Sequence, residues 1–123
     1  MSDPRGDVEL VFAGVAVSNY RRAAAWYRAL LGREPDVIVV DDVECMWQIR
    51  EGAWIYIVQD VKRAGSSLVT MLVGDLGEHL RELAGRGIEV PPMETKPGLY
   101  RKTSFVDPDG NTIAFGESLG EQK

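Results

Sequence analysis

The residues best suited to chemistry in this chain are aromatic rather than ionisable. Trp54 and Tyr56 are two residues apart. On a strand that spacing puts both rings, with Val58, on one face and Ile55 and Ile57 on the other. Trp47 and Tyr100 are the remaining ring candidates. Rings on a concave sheet can sandwich a flat or cationic ligand, and the same rings can equally fill an interior or line a dimer contact. Glu44, Gln48, Arg50 and Glu117 could add polar contacts at the mouth of such a groove. Glu44, Met46, Gln48 and Arg50 alternate with Cys45, Trp47 and Ile49. If Trp47 faces the groove the polar set faces outward, and the reverse also holds. Arg101 or Lys102 could reach a ligand carboxylate or phosphate, although paired cations on an edge strand also serve to block unwanted strand pairing.

Nucleophilic and acid–base signals are sparse. Cys45 is the only cysteine, with no histidine nearby to activate it, and reads as a small buried residue. His79, three residues after Leu76, reads as a boundary residue of a helix. Asp107 and Asp109 look like paired carboxylates. They belong to Asp107-Pro108-Asp109-Gly110-Asn111, where turn geometry accounts for both.

The elements that must hold these residues follow from periodicity. Val8 to Val17 alternates as a strand. Asn19 caps a helix from Tyr20 to Leu31 whose inner stripe is Ala23, Trp26, Tyr27, Leu30 and Leu31, and Gly32 stops it. Strands are expected over 36–40, 43–50 and 53–59, joined by Asp41-Asp42 and Glu51-Gly52. Asp60 to Ser67 is a polar linker. Leu68 to Val73 is a strand. Asp75 and Glu78 suit a capping box for a helix to about Arg86, with Leu76, Leu80, Leu83 and Ala84 inward and Gly87 as its stop. Ile88 to Val90 is a short strand. The proline-rich loop 91–98, with Met93 as an adaptable contact, is expected to arch over one end of the cavity. A hairpin of 100–106 and 111–117 closes the chain.

This is an internal repeat, with Val17-Ser18-Asn19 and Gly32 echoed by Val73-Gly74-Asp75 and Gly87. Each half reads strand–helix–strand–strand–strand. Two such units can curl into a cupped, open mixed sheet with helices on the outer face. The expected organisation is one domain over 1–123: module one about 8–59, linker 60–67, module two about 68–117 and a tail 118–123.

Composition bounds the function. The 123 residues carry a net charge of −5 and are 45% apolar and 27% charged. The acidic balance argues against a general nucleic-acid grip and mildly favours a cationic small molecule. One cysteine excludes an intramolecular disulfide. No apolar run approaches the roughly 18 residues that span a bilayer. The polar stretch Met1 to Asp7 lacks a signal-peptide core, so a cytoplasmic location is the default expectation.

The duplicated βαβββ pattern, together with Val15-Ala16-Val17-Ser18-Asn19, Ala25-Trp26-Tyr27-Arg28-Ala29-Leu30-Leu31-Gly32 and the Asp107–Asn111 turn, resembles the vicinal oxygen chelate superfamily. That superfamily holds glyoxalase I, extradiol dioxygenases and bleomycin-resistance proteins, and the resemblance spans about Val8 to Glu117. Metal-dependent members place His, Glu or Gln at ligand positions on inner strand faces. The corresponding positions here are Phe12, Leu68, Ala114 and a position near Tyr56. The first three cannot ligate a metal, and neighbouring Val11, Ala13, Val69 and Ile113 do not rescue the site. The resemblance therefore implies the metal-free, bleomycin-resistance-like branch. It implies a homodimer, no cofactor, no metal and no catalytic residue. The groove would be lined by Phe12, Trp47, Trp54, Tyr56, Leu68, Tyr100 and Ala114 and would sequester an aromatic or cationic ligand. Two other readings stand beside it: a lyase, isomerase or dioxygenase with atypical ligands such as Glu44 or Glu117, and an interaction module whose cavity has closed.

Overall fold

Local signals and tertiary packing agree in most of the chain. The structure, a computed structural model, describes residues 6–120; the ends of the polar N-terminal stretch and of the tail lie outside the described residues. Strand β1 (Val11–Val17) leads into α1 (Tyr20–Leu31), then β2 (Val37–Val40), β3 (Glu44–Arg50) and β4 (Ala53–Gln59). The second half repeats the order with β5 (Leu68–Leu72), α2 (Leu76–Gly85), β6 (Glu94–Lys96), β7 (Tyr100–Val106) and β8 (Thr112–Ser118). Each half forms its own four-stranded mixed sheet, ordered β1-β4-β3-β2 and β5-β8-β7-β6, with the first strand parallel to the last. This is an α+β fold of two βαβββ modules.

Asn19 accepts a hydrogen bond from the Arg22 N–H at 3.0 Å to start α1, and Gly32 ends it in the left-handed region at φ 78°. Asp75 caps α2 through the Glu78 N–H at 3.0 Å, but Glu78 turns its carboxylate to Arg81. The capping box is therefore half made. Ala84, expected inward, is exposed, while Leu76 and Leu83 are fully buried.

The expected strand at 88–90 does not form. Pro91 and Pro92 offer no N–H to a ladder. Ile88 and Val90 instead pack against the core, and the Ile88 N–H bonds Leu83 O at 3.2 Å. The strand lies later, inside the expected loop, where Pro97-Gly98 makes a tight turn and pairs Glu94–Lys96 with Tyr100–Lys102. As a result β7 is interior to its sheet, and the edge-strand reading of Arg101 and Lys102 is corrected.

Strand alternation sorts side chains to two faces. One face of each sheet joins its helix in one continuous core that includes Val15, Val17, Tyr27, Cys45, Trp47, Ile55, Ile57, Leu83, Phe105, Ile113 and Phe115. The other face of each sheet carries no helix.

The turn between β7 and β8 ties the modules together. Asp107, 4% exposed, accepts from the Tyr27 hydroxyl at 2.8 Å and from the Asp109 N–H, Asn111 N–H and Asn111 Nδ2, each at 2.9 Å. Fully buried Asn111 also donates to Ala16 O at 2.9 Å and accepts from the Gly65 and Ser67 N–H groups at 3.2 and 2.8 Å. Burial and then the Asp107 carboxylate push the Tyr27 phenol far above its ordinary range, so it remains a donor. Asp109 accepts from the Ser18 N–H at 3.0 Å and from the Ser18 hydroxyl. At the other end, Arg86 donates to the last-turn carbonyls of Ala29 and Leu30 at 2.7 and 2.9 Å.

Two stability outcomes are expected. Asp107→Ala leaves buried donors of Tyr27 and Asn111 unpaired and should lower unfolding free energy by about 3 kcal/mol, read from the denaturant midpoint at constant slope. An unchanged midpoint would contradict the tie. The second concerns acid. Burial opposes ionisation of Asp109, but the Ser18 bonds and Arg22 outweigh it and hold the carboxyl below its ordinary value. A depressed carboxylate contributes stability that is fully present above about pH 4 and is lost as pH falls through the lowered value. Ser18→Ala should therefore lower stability near neutrality and shrink the loss on acidification. Denaturation series over pH would show parallel curves for the two proteins if the reading were wrong.

Candidate functional site

The helix-free face of the first sheet gathers the rings. Ladder register sets Phe12 beside Trp54 and Gln48, and Gly14 beside Tyr56 and Met46. The Phe12 and Trp54 rings stack with centroids 6.1 Å apart and planes at 25°. Tyr56 lies across Gly14, where a Cβ would overlap its ring. A glycine inside a strand signals such close approach, and that signal was available in the sequence. Phe12 is 47% exposed and Trp54 and Tyr56 are half-buried, so the row is open to a ligand. Glu44 and Met46, both half-buried, share this face.

Trp47 does not join them, and its expected place in the groove is corrected. It is fully buried on the core face, 6.3 Å from the Tyr27 ring, and its indole N–H donates to Arg33 O at 3.0 Å. Helix α1 covers that face, so the apolar set Cys45, Trp47 and Ile49 turns to it and Glu44, Met46 and Gln48 take the open side.

The helix-free face of the second sheet carries Leu68, Thr70 and Leu72 on β5, Ala114 and Gly116 on β8, and Tyr100, Lys102 and Ser104 on β7. Leu68 and Leu72 are 75% and 64% exposed. Ala114 is buried beneath its neighbours. A depression of about 270 Å³ is lined by Thr70, Leu72, Tyr100, Arg101, Lys102 and Gly116. Another, of about 150 Å³, is lined mainly by core-side residues, among them Val11, Ala13, Ile49, Ile55, Val69 and Met71, with Trp54 and Thr70 at its edge.

Phe12, Tyr56, Leu68 and Ala114 all lie on the helix-free faces, but as a donor set they do not fit a divalent ion. Three have no lone pair to offer, and a phenol is a poor ligand unless ionised. Among the described residues no group of three His, Cys, Asp or Glu side chains could hold a metal. Glu117 is committed elsewhere, which corrects its expected place at the groove mouth. It accepts from the Leu76 N–H at 2.7 Å at the start of α2 and from Arg101 Nη2 at 2.6 Å. The Leu76 N–H and then Arg101 hold its carboxyl below the ordinary range. Arg50 lies past a bulge at the exposed end of β3. Cys45 is fully buried and burial raises its thiol pKa, the opposite of what a nucleophile needs. His79 sits at the core boundary, 4.3 Å from the Phe115 ring, with its pKa lowered by burial.

A depression of about 570 Å³ lies away from these faces, between Trp26, Gly87–Glu89, Pro91, Pro92 and Phe105. The start of the proline-rich loop therefore lines this outer cleft rather than arching over the aromatic row. Among the described residues Glu89 is the only ionisable side chain lining the cleft, which brings together no set of polar groups.

Residues 9–115 match the sequence model of the "Glyoxalase/Bleomycin resistance protein/Dioxygenase superfamily". Among solved structures, a glyoxalase / bleomycin resistance protein from Catenulispora acidiphila is 44% identical, with TM-score 0.82 over 88% of this chain and 96% of that one. TnmS3, an antibiotic binding protein from Streptomyces sp. CB03234, is 21% identical, with TM-score 0.68 over 89% and 94%. Lactoylglutathione lyase from Agrobacterium tumefaciens is 16% identical, with TM-score 0.72 over 94% and 96%. These last two likenesses are of fold alone. No curated protein matches the chain. The repeated βαβββ modules, the Asp107–Asn111 turn and the match over nearly the whole chain lead to one assignment: the protein belongs to the glyoxalase/bleomycin resistance/dioxygenase superfamily.

Proposed function

We propose that this protein is a metal-free binding protein that sequesters a small aromatic molecule against the helix-free faces of its sheets. The observation that carries the reading is the row of Phe12, Trp54 and Tyr56 on one open face. It occurs in a fold whose metal-dependent members put donors where this chain has Phe12, Leu68 and Ala114. Stacking on such rings favours flat ligands. The Catenulispora relative, named for bleomycin resistance, and the antibiotic-binding TnmS3 support this direction.

The chain acts as a single domain and, in this reading, as a homodimer in which helix-free faces of two copies close one groove. The depression of about 270 Å³ on the second sheet falls short of the roughly 300 Å³ of an ordinary ligand pocket. The exposed Phe12, Leu68 and Leu72 supply apolar surface for closure. The proposed location is the cytoplasm; among the described residues no helix is long and apolar enough to cross a membrane.

Two tests follow. Trp54→Ala and Tyr56→Ala should each weaken binding of the neutral aromatic probe N-phenyl-1-naphthylamine at least tenfold with little change in melting temperature. Trp47→Phe should lower the melting temperature and leave probe affinity intact. Equal losses of affinity in all three would move the site away from this face. Separately, chelator-stripped protein titrated with Ni²⁺, Zn²⁺, Mn²⁺, Fe²⁺ and Co²⁺ should show no saturable rise in melting temperature. A chelator-reversible rise with any ion would contradict the metal-free reading.

A further inference from the structure

Consecutive residues Arg101 and Lys102 carry the cations of β7, and strand alternation sends them to opposite faces. Arg101 goes to the core side and is neutralised by Glu117, its cross-strand partner. Lys102 goes to the helix-free side. Its stem crosses the buried Gly116, where an added Cβ would lie 3.7 Å from Lys102 Cβ and 3.2 Å from Leu72 Cδ2. Its ammonium stands 5.5 Å from the centre of the Tyr100 ring. Among the described residues no carboxylate lies within 4.0 Å of it, although Glu94 is its Cα partner on β6. The half-buried lysine thus stands without an ion-pair partner among the described residues at the rim of the 270 Å³ depression formed with Thr70, Leu72 and Tyr100, whose other cation, Arg101, is already paired with Glu117.

Resting on the binding reading above, we infer that the ligand carries an anionic oxygen group (a carboxylate, sulfonate or phosphate) on its aromatic body, and that Lys102 is the residue that selects it. An apolar floor beside a tethered ammonium favours an amphiphile with a flat part and one acidic group. Lysine serves such a group as a point charge with three donors, so charge rather than fixed bidentate geometry sets the preference.

The test uses two matched probes on the full-length protein. 8-Anilinonaphthalene-1-sulfonate carries an anionic group, and N-phenyl-1-naphthylamine is the same skeleton without it. Wild type should bind the sulfonate about fivefold more tightly than the neutral amine, a margin that narrows as salt rises. Lys102→Gln should abolish the margin and leave neutral-probe affinity unchanged, while Lys102→Arg preserves it. Lys62→Gln, on the exposed linker, controls for net charge and should leave the margin intact. A margin that survives Lys102→Gln, disappears equally in Lys62→Gln, or is absent in wild type overturns the inference while the groove stands. Failure of both probes to bind overturns the groove reading itself.

Discussion

The buried carboxylate of Asp107 is the interaction on which the rest of the structure depends. It accepts from the first helix through Tyr27 and from its own turn through Asp109 and Asn111. Asn111 passes the connection on to β1 at Ala16 and to the linker at Gly65 and Ser67. A buried charge is tolerated only when its lone pairs are filled, and four donors fill them here. The same donors come from both halves of the chain, so satisfying the charge and docking the modules are one event. Arg86, capping the carbonyl end of α1, repeats the logic at the opposite end of the interface.

With the modules fixed by their helix-covered faces, each sheet is left with a second face that the chain itself does not cover. A half-exposed aromatic row and strongly exposed leucines on such faces are costly to leave in water. Phe12, Leu68 and Ala114 on these faces offer no metal-ligating side chain and add apolar contact. On the first sheet Tyr56 spreads over Gly14, Phe12 stacks on Trp54 and Glu44 shares their face, while the second sheet carries Lys102.

Much of this was legible in the residues. Helix α1 falls where Asn19 and Gly32 place it, because caps and stripe agree there. The repeat exposes the module plan, and the Asp-Pro-Asp-Gly-Asn turn marks the final hairpin. Glu94–Lys96 was hidden because its residues have no strand alternation of their own; a tight turn and an available edge on β7 recruit them. Trp47 illustrates a deeper ambiguity. Apolar alternation tells which side of β3 is dry, but this fold has two dry destinations, the core and the groove, and hydrophobicity does not separate them. Likewise, Arg101 and Lys102 look equivalent until the register places Glu117 opposite the first and sends the second to the other face.

The three tryptophans of the chain stand in three different places: Trp26 beside the outer cleft, Trp47 in the core and Trp54 on the aromatic face. Their indole N–H signals make nuclear magnetic resonance the most direct measurement. Titration with N-phenyl-1-naphthylamine, after assignment by single Trp→Phe substitution, should move the Trp54 signal saturably and leave Trp47 and Trp26 nearly still. Saturable movement of Trp26 with Trp54 unmoved would place binding in the outer cleft and contradict the account.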